Sequence, residues 1–201
     1  MIFARATNNK KKLAEIQRIL NALGHEAKSL AELGVCVDAE ETGTTFEENA
    51  LIKAKAVARA TGMPSISDDS GLEVDALGGE PGVYTARYRS KDGSHPTDDE
   101  NIDKLLYNLK DVPKENRTAR FVSAVALYIP GDEPVSIVKR GTCEGRIGFE
   151  RRGSDGFGYD PVFMMGDISY AEMTAREKDA VSHRGKALRL LGEEISKISF
   201  E

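Results

Sequence analysis

The run from Arg117 to Ile129 constrains the fold more than any other part of the chain, because it reads as a β-strand that is apolar on both faces. Ala119, Phe121, Val125, Leu127 and Ile129 fall on one side, with Ser123 interrupting the row. Val122, Ala124 and Ala126 fall on the other. Successive side chains of a strand point to opposite faces, so this strand needs cover on both. Pro130 stops it, and Gly131-Asp132 suggests a hairpin into a strand from Val135 to Glu144, with Gly145 to Phe149 continuing the sheet.

The rest of the chain supplies further strands and the covering helices. Ile2 to Ala6 reads as a short buried strand that runs into the polar turn Thr7-Asn8-Asn9. A helix begins near Lys10, carries Leu13, Ile16, Leu20 and Leu23 at helical spacing, and ends at Gly24. Thr45 with Glu48 forms a capping box for a helix to about Ala60, closed by Gly62 and Pro64. Ser65 to Asp68 reads as a short strand ending abruptly in Asp68-Asp69-Ser70-Gly71, and Asp75 to Gly82 as irregular. A second capping box, Thr97 with Glu100, opens a helix holding Ile102, Leu105, Leu106 and Leu109. A Gly-rich loop from Arg151 to Tyr159 leads to a last strand over Pro161 to Met165. A third box, Thr174 with Glu177, opens the C-terminal part, whose final helix holds Ala187, Leu188, Leu191, Ile195 and Ile198. This alternation predicts a single mixed α/β unit over residues 1–201, in which the middle of the chain, roughly Leu72 to Ser154, is able to form a second lobe.

Composition removes several function classes. The chain has 201 residues, 40% of them hydrophobic, enough for a sizeable core. A net charge of −5 argues against an electrostatic nucleic-acid binder, so any phosphate site must be a local basic cluster. The only cysteines are Cys36 and Cys143, with no CxxC or Cys/His cluster, so no structural zinc site is expected and a reducing cytosol is the default. Neither a signal peptide nor a membrane span is legible, and the expected location is cytoplasmic.

Four segments are polar beyond structural need. Thr7-Asn8-Asn9-Lys10-Lys11-Lys12 lies at a strand-to-helix junction, where free backbone N–H groups and the helix dipole suit phosphate. A solvated basic turn is the plainer reading of that segment alone, and no P-loop motif occurs. Glu40 and Glu41 precede a helix and are able to hold a divalent cation, while Asn49 and Lys53 share one helix face. Asp68-Asp69-Ser70-Gly71 places two carboxylates at a strand end, where they repel unless compensated. A Mg²⁺ held by one or two carboxylates and substrate phosphates answers that need, and an ordinary Asp-Ser-Gly turn is the alternative. Lastly, Phe157 or Tyr159 on a Gly-flanked loop is able to stack on a base, with His183 and Arg184 as donors to a keto oxygen. For His183 the plainer reading is a helix-start residue capped by Ser182.

Together and in order, these segments resemble the inosine triphosphate pyrophosphatase family, the non-canonical purine NTP pyrophosphatases. The resemblance rests on Thr7 to Lys12, Glu40-Glu41-Thr42-Gly43, Thr45-Phe46-Glu47-Glu48-Asn49-Ala50 with Lys53, and Asp68-Asp69-Ser70-Gly71-Leu72. It continues through Ala76-Leu77-Gly78-Gly79, Pro81-Gly82, Ala86-Arg87-Tyr88, Gly156-Phe157-Gly158-Tyr159-Asp160-Pro161 and Ser182-His183-Arg184-Gly185-Lys186-Ala187-Leu188. One departure is Asn8, where a Gly often follows the Thr, although Asn also tolerates left-handed backbone. The resemblance implies an elongated mixed β-sheet flanked by helices, a nucleotide cleft between two lobes, and a homodimer. It implies phosphate binding by Thr7, Asn8, Asn9, Lys10, Lys11 and Lys12, assisted by Lys53. It gives Mg²⁺ to Glu40 and Asp69, makes Asp69 the proton acceptor, and lets Ser70 touch the substrate. Phe157, Gly158, Tyr159, Asp160, Lys178, His183 and Arg184 then line the base and sugar site.

The chemistry so implied is attack of water on the α-phosphorus of ITP, dITP or XTP, releasing pyrophosphate. Lys12, Lys53 and Mg²⁺ supply positive charge and Asp69 activates the water. Donors facing the six-keto oxygen would reject adenine, whereas the rejection of guanine is not legible. Two other readings stay open from sequence: a phosphohydrolase for other modified or canonical triphosphates, and a non-catalytic nucleotide sensor or partner-binding module. A substrate panel separates the first, and the joint presence of Lys12, Glu40, Lys53 and Asp69 argues against the second.

Overall fold

The computed structural model describes residues 2–7, 9–90 and 96–198. The elements run β1 (Ile2–Arg5), α1 (Lys10–Ala22), β2 (Glu26–Ser29), α2 (Phe46–Thr61), β3 (Ser65–Val74), α3 (Asp98–Asn108), β4 (Thr118–Ile129) and β5 (Val135–Ile147). They end with β6 (Phe163–Met165), β7 (Ile168–Ser169), α4 (Ala175–Val181) and α5 (His183–Ile195). Seven strands among the described residues form one sheet in the order β2-β1-β3-β4-β5-β6-β7. β1 pairs in parallel with β2 and β3, whereas β5, β6 and β7 pair antiparallel, so the sheet is mixed and the fold α/β. No helix among the described residues is long and apolar enough to cross a membrane.

The chain forms two compact units. The first comprises Met1–Asp69, Ser123–Gly141 and His183–Glu201, and the second Ser70–Val122 and Thr142–Ser182. The second unit is therefore discontinuous, not the single stretch from Leu72 to Ser154 that the sequence suggested. The reason lies in the long central strands: β4 gives Ala119 and Phe121 to one core and Val125 and Leu127 to the other.

In the first unit both faces of β1 are covered. Phe3 joins Ile16, Leu20, Leu188 and Leu191, from α1 and α5. Its neighbour Ala4 joins Val57 of α2, with Leu30. Adjacent residues of one strand thus enter different clusters, as its alternation requires. In the second unit, Ile102 and Leu105 of α3 pack into a core with Leu72, Val74, Phe121, Phe163 and Tyr170. The Phe121 and Phe163 rings lie 4.6 Å apart, and Phe163 meets Tyr170 edge-on at 4.8 Å.

All three expected capping boxes form, at Thr45/Glu48, Thr97/Glu100 and Thr174/Glu177. Two expectations change, for β3 and for the last strand, and β2 appears where the sequence offered no reading. β3 does not stop at Asp68 but runs to Val74, because cationic side chains compensate both aspartates within the strand. β2 has the sequence Glu-Ala-Lys-Ser and buries only Ala27 fully, so it carries almost no strand signal of its own. β6 is not the last strand, since β7 pairs with it. Ser182, with extended backbone (φ −66°, ψ 154°), separates α4 from α5, and His183 starts the final helix as its plainer sequence reading has it.

β5 passes close to the first turn of α5. A Cβ on Gly141 would collide with His183 O and lie 2.6 Å from Ala187 N. Because both obstacles are backbone, Gly141→Ala should cost about 3 kcal/mol, the upper end for overpacking. The denaturant midpoint reads this loss, and an unchanged midpoint would mean that this approach is not close.

Candidate active site

β3 is the axis of the chemistry in the first unit. Ile66 and Asp68 point to the face covered by α1 and α5, whereas Ser65, Ser67 and Asp69 point to the face covered by α2. Ile66 accordingly packs in the cluster with Ile16 and Leu188. Ser65 and Ser67 donate their hydroxyls to Ala54 O and Ala50 O of α2. The two adjacent aspartates therefore meet different partners.

Asp68 is 1% exposed. Its Oδ2 accepts from Arg184 Nε at 3.0 Å, and Lys12 Nζ stands 3.6 Å from its Oδ1. The other side of the Arg184 guanidinium donates to Glu15. Asp69 Oδ1 accepts from Lys53 Nζ at 2.7 Å, and the same ammonium reaches Glu41 Oε1 at 3.0 Å. Glu40 is exposed, and its carbonyl accepts from Thr42 N. Asn49, buried on α2, ties this stretch down by accepting from Gly43 N at 2.8 Å.

These surroundings drive the two carboxyls apart. Burial alone would raise the pKa of Asp68, but Arg184, Lys12 and Lys53 overcome it and hold the group well below the usual carboxylate range. Burial raises Asp69 and Glu41 adds to it, against the pull of Lys53 and Lys12, and the net shift is upward. Burial pushes Lys12 down despite Asp68. The Lys53 ammonium loses hydration too, yet Asp69, Asp68 and Glu41 outweigh that loss and raise it. One carboxylate is thus fixed as an anion and its neighbour made more basic, the pattern that marks an assigned proton acceptor.

The phosphate segment is placed differently from its sequence reading. Asn9 caps α1, its side chain accepting from Lys11 N at 3.0 Å and Lys12 N at 3.2 Å, and its own amide donates to Thr7 Oγ1 at 3.3 Å. Those first-turn amides are therefore engaged rather than free. Lys10 opens the helix, Lys11 is exposed, and Asn8 lies outside the described residues.

Lys12 and Arg184 pair with Asp68 and Glu15, two cations to two carboxylates, whereas Lys53 faces two carboxylates, Glu41 and Asp69. Fully ionised, the Lys53 group is one negative charge in excess, which disfavours a polyphosphate unless a cation enters with it. No group of three or more His, Cys, Asp and Glu among the described residues is arranged to hold a metal alone. Mg²⁺ typically takes one or two carboxylates and completes its shell with water and phosphate oxygens. Asp69 and Glu41, brought to one ammonium of α2, with Glu40 next to Glu41 in sequence, offer hard oxygens that fit that mode.

The second unit holds the aromatic loop. Asp160 is 3% exposed, and its Oδ2 accepts from Lys178 Nζ at 2.6 Å and from Phe157 N at 2.9 Å. The Lys178 ammonium also lies 4.9 Å from the centre of the Phe157 ring. Gly156 has φ +80°, and a Cβ there would fall on the Asp160 carboxylate. Tyr159 donates its hydroxyl to Thr85 O at 2.9 Å, and burial raises its pKa, keeping it a neutral phenol. Ser70 follows Asp69 along β3, half-buried. His183 and Arg184 begin α5, both buried.

Sequence reasoning missed Glu15 and the partner role of Asp68. The available signal for Glu15 was a carboxylate one helical turn after Lys12, set beside the apolar positions Ile16 and Ile19.

A model described as the Ham1 family matches residues 3–194. A dITP/XTP pyrophosphatase from Bacillus subtilis is 50% identical over 190 residues, covering 94% of this chain and 93% of that one. A dITP/XTP pyrophosphatase from Pectobacterium atrosepticum is 47% identical, covering 92% and 93%. Among solved structures, a HAM1 protein from Coxiella burnetii is similar with a TM-score of 0.86 at 40% identity, covering 98% of this chain and 100% of that one. A nucleoside-triphosphatase / dITP/XTP pyrophosphatase from Mycobacterium abscessus gives 0.72 at 46% identity, covering 95% and 98%.

Removing one partner of a buried ion pair usually costs about 3 to 5 kcal/mol, and Asp68→Asn should lose that much in urea unfolding at neutral pH. The native Asp68 pKa lies below its ordinary 3.8, so its stabilisation is present above 3.8 and is lost as pH falls toward the native value. The gap between wild type and variant should therefore narrow in acid. A gap that is constant with pH would remove Asp68 as the source.

Proposed function

The chain belongs to the Ham1 family, and we propose that it hydrolyses the non-canonical purine nucleoside triphosphates ITP, dITP and XTP to the nucleoside monophosphate and pyrophosphate. Such a reaction removes deaminated purines from the nucleotide pool. Beside the family, the observation that carries the reading is the β3 pair: Asp68 held as an anion by Arg184 and Lys12, and Asp69 made more basic beside Lys53.

Thr7, Asn8, Asn9, Lys10, Lys11, Lys12 and Lys53 take the phosphates, chiefly through ammonium groups that exchange a carboxylate partner for a phosphate oxygen. Asp69 accepts a proton from water, whose oxygen forms a bond to the α-phosphorus. The bond from that phosphorus to the bridging oxygen breaks, and pyrophosphate leaves with the electron pair. Positioning and fixed positive charge carry most of the acceleration. Asp69 and Glu40 would hold Mg²⁺, which when bound neutralises charge on the phosphate oxygens.

Phe157 stacks on the base, Gly158, Tyr159 and Asp160 shape its loop, and Ser70 contacts the substrate. Lys178 and Arg184 carry donors but no acceptor, and with His183 they favour a six-keto oxygen over the six-amino group of adenine. An adenine would leave buried donors unpaired, which discriminates by up to roughly ten thousand-fold. The family match spans both compact units, which supports one catalytic domain over the whole chain. The resemblance also supports a homodimer, and two cysteines outside any CxxC or Cys/His cluster agree with a cytoplasmic location.

Pyrophosphate release should be fast and EDTA-sensitive with ITP, dITP and XTP, and slow with ATP, GTP and dTTP. Release from canonical nucleotides instead would assign the site to another substrate. No release from any nucleotide would leave a binding module. Asp69→Asn should lower turnover at least about a hundredfold, the usual range for a positioned general base. A near-normal rate would take Asp69 out of that role.

A further inference from the structure

The aromatic loop is tied to α3 by a contact that the proposed chemistry does not use. Asp98, the first residue of α3, accepts from Gly158 N through its Oδ2 at 2.7 Å. On the other side of Phe157, the Phe157 amide donates to Asp160 Oδ2 at 2.9 Å. These two N–H groups belong to the two peptide planes that flank the Phe157 Cα. Each plane is rigid, so holding both holds φ and ψ of Phe157, and with them the Cα–Cβ direction from which its ring is aimed.

The two anchors differ in kind. Asp160 is buried and paired with Lys178, so its plane is held from inside the fold. Asp98 is exposed and reaches the loop from a separate helix. Its neighbours reinforce the tie, because Arg151, at the start of the same loop, donates to Asp103 Oδ1 at 2.7 Å and to Asp99 O at 3.1 Å. An acidic first turn is favourable for any helix, and that would explain Asp98, Asp99 and Glu100 equally. The Asp98 bond to Gly158 goes beyond that requirement.

We infer that Asp98 is a positioning residue for the nucleobase, acting through the Gly158 amide to set the angle of the Phe157 ring. This rests on the nucleotide reading above, with Phe157 as the stacking surface. Asp98 touches neither phosphates nor the attacking water, so its loss should be felt in base recognition alone.

The test compares Asp98→Ala with Asp98→Asn, which removes the same charge but keeps an oxygen able to accept from the Gly158 amide. Three quantities are read: the dITP kinetics, competitive inhibition by inorganic tripolyphosphate as a probe without a base, and amide hydrogen exchange at Gly158. Asp98→Ala should raise KM for dITP about five- to tenfold, as expected for one lost hydrogen bond, with kcat within about twofold. Tripolyphosphate inhibition should not change, and exchange at Gly158 should accelerate. Asp98→Asn should leave all three near wild type. An unchanged KM in Asp98→Ala, an equal rise in Asp98→Asn, or a parallel loss of tripolyphosphate binding would each overturn the inference. A wild-type protein that does not hydrolyse dITP would overturn the parent reading and this role with it. A protected Gly158 amide that Asp98→Ala leaves unchanged would overturn the latch alone.

Discussion

The guanidinium of Arg184 is 1% exposed and lies between two carboxylates, Asp68 of β3 and Glu15 of α1. A lone buried cation costs several kcal/mol in lost hydration, and so does a lone buried carboxylate. Neither Arg184 nor Asp68 is tolerable here without the other, so the strand, α1 and α5 are fixed in register by charge as well as by packing. The pair also sets the chemistry next door. With Arg184 bound to Asp68 Oδ2, Lys12 stands 3.6 Å from Oδ1, a looser pairing than that of Lys53 with Asp69. The neighbouring Asp69 keeps the raised basicity that burial gives it.

The way α1 is capped bears on the proposed phosphate site. Asn9 occupies the Lys11 and Lys12 amides, so the helix start offers an incoming anion less than an uncapped end would. On that proposal the burden passes to side-chain ammonium groups, which are longer and able to exchange a carboxylate for a phosphate oxygen. Around Lys53, where one ammonium faces Glu41 and Asp69, releasing a carboxylate on taking a phosphate would keep the local charge in balance.

Much of the fold was legible in the sequence because it was written in local signals. The capping boxes at Thr45, Thr97 and Thr174 mark helix starts by a hydrogen bond that spans only three residues. The two-faced β4 needs nothing beyond its own alternation to declare itself. What escaped depends on distant partners. β3 seemed to end at two charged residues because the sequence does not display Lys12, Lys53 and Arg184 standing around them. β2 is a strand only because β1 lies beside it, and Glu15 is a network member only because α5 brings Arg184 to it. In the candidate site, the residue types were legible as a set of charges and aromatics. The pairing among them was not, and it is the pairing that separates Asp68 from Asp69.

The alternation of β3 has one more consequence. Asp68 and Asp69 are chemically the same group, and only the parity of their positions assigns one to Arg184 and the other to Lys53. A shift of the strand by a single residue would exchange every side chain between the two faces. It would place a seryl hydroxyl or the wrong carboxylate opposite each cation while leaving the residue inventory intact. Identity along this segment is therefore carried by odd and even numbering, and the hydroxyls of Ser65 and Ser67, hooked onto successive turns of α2, keep the count.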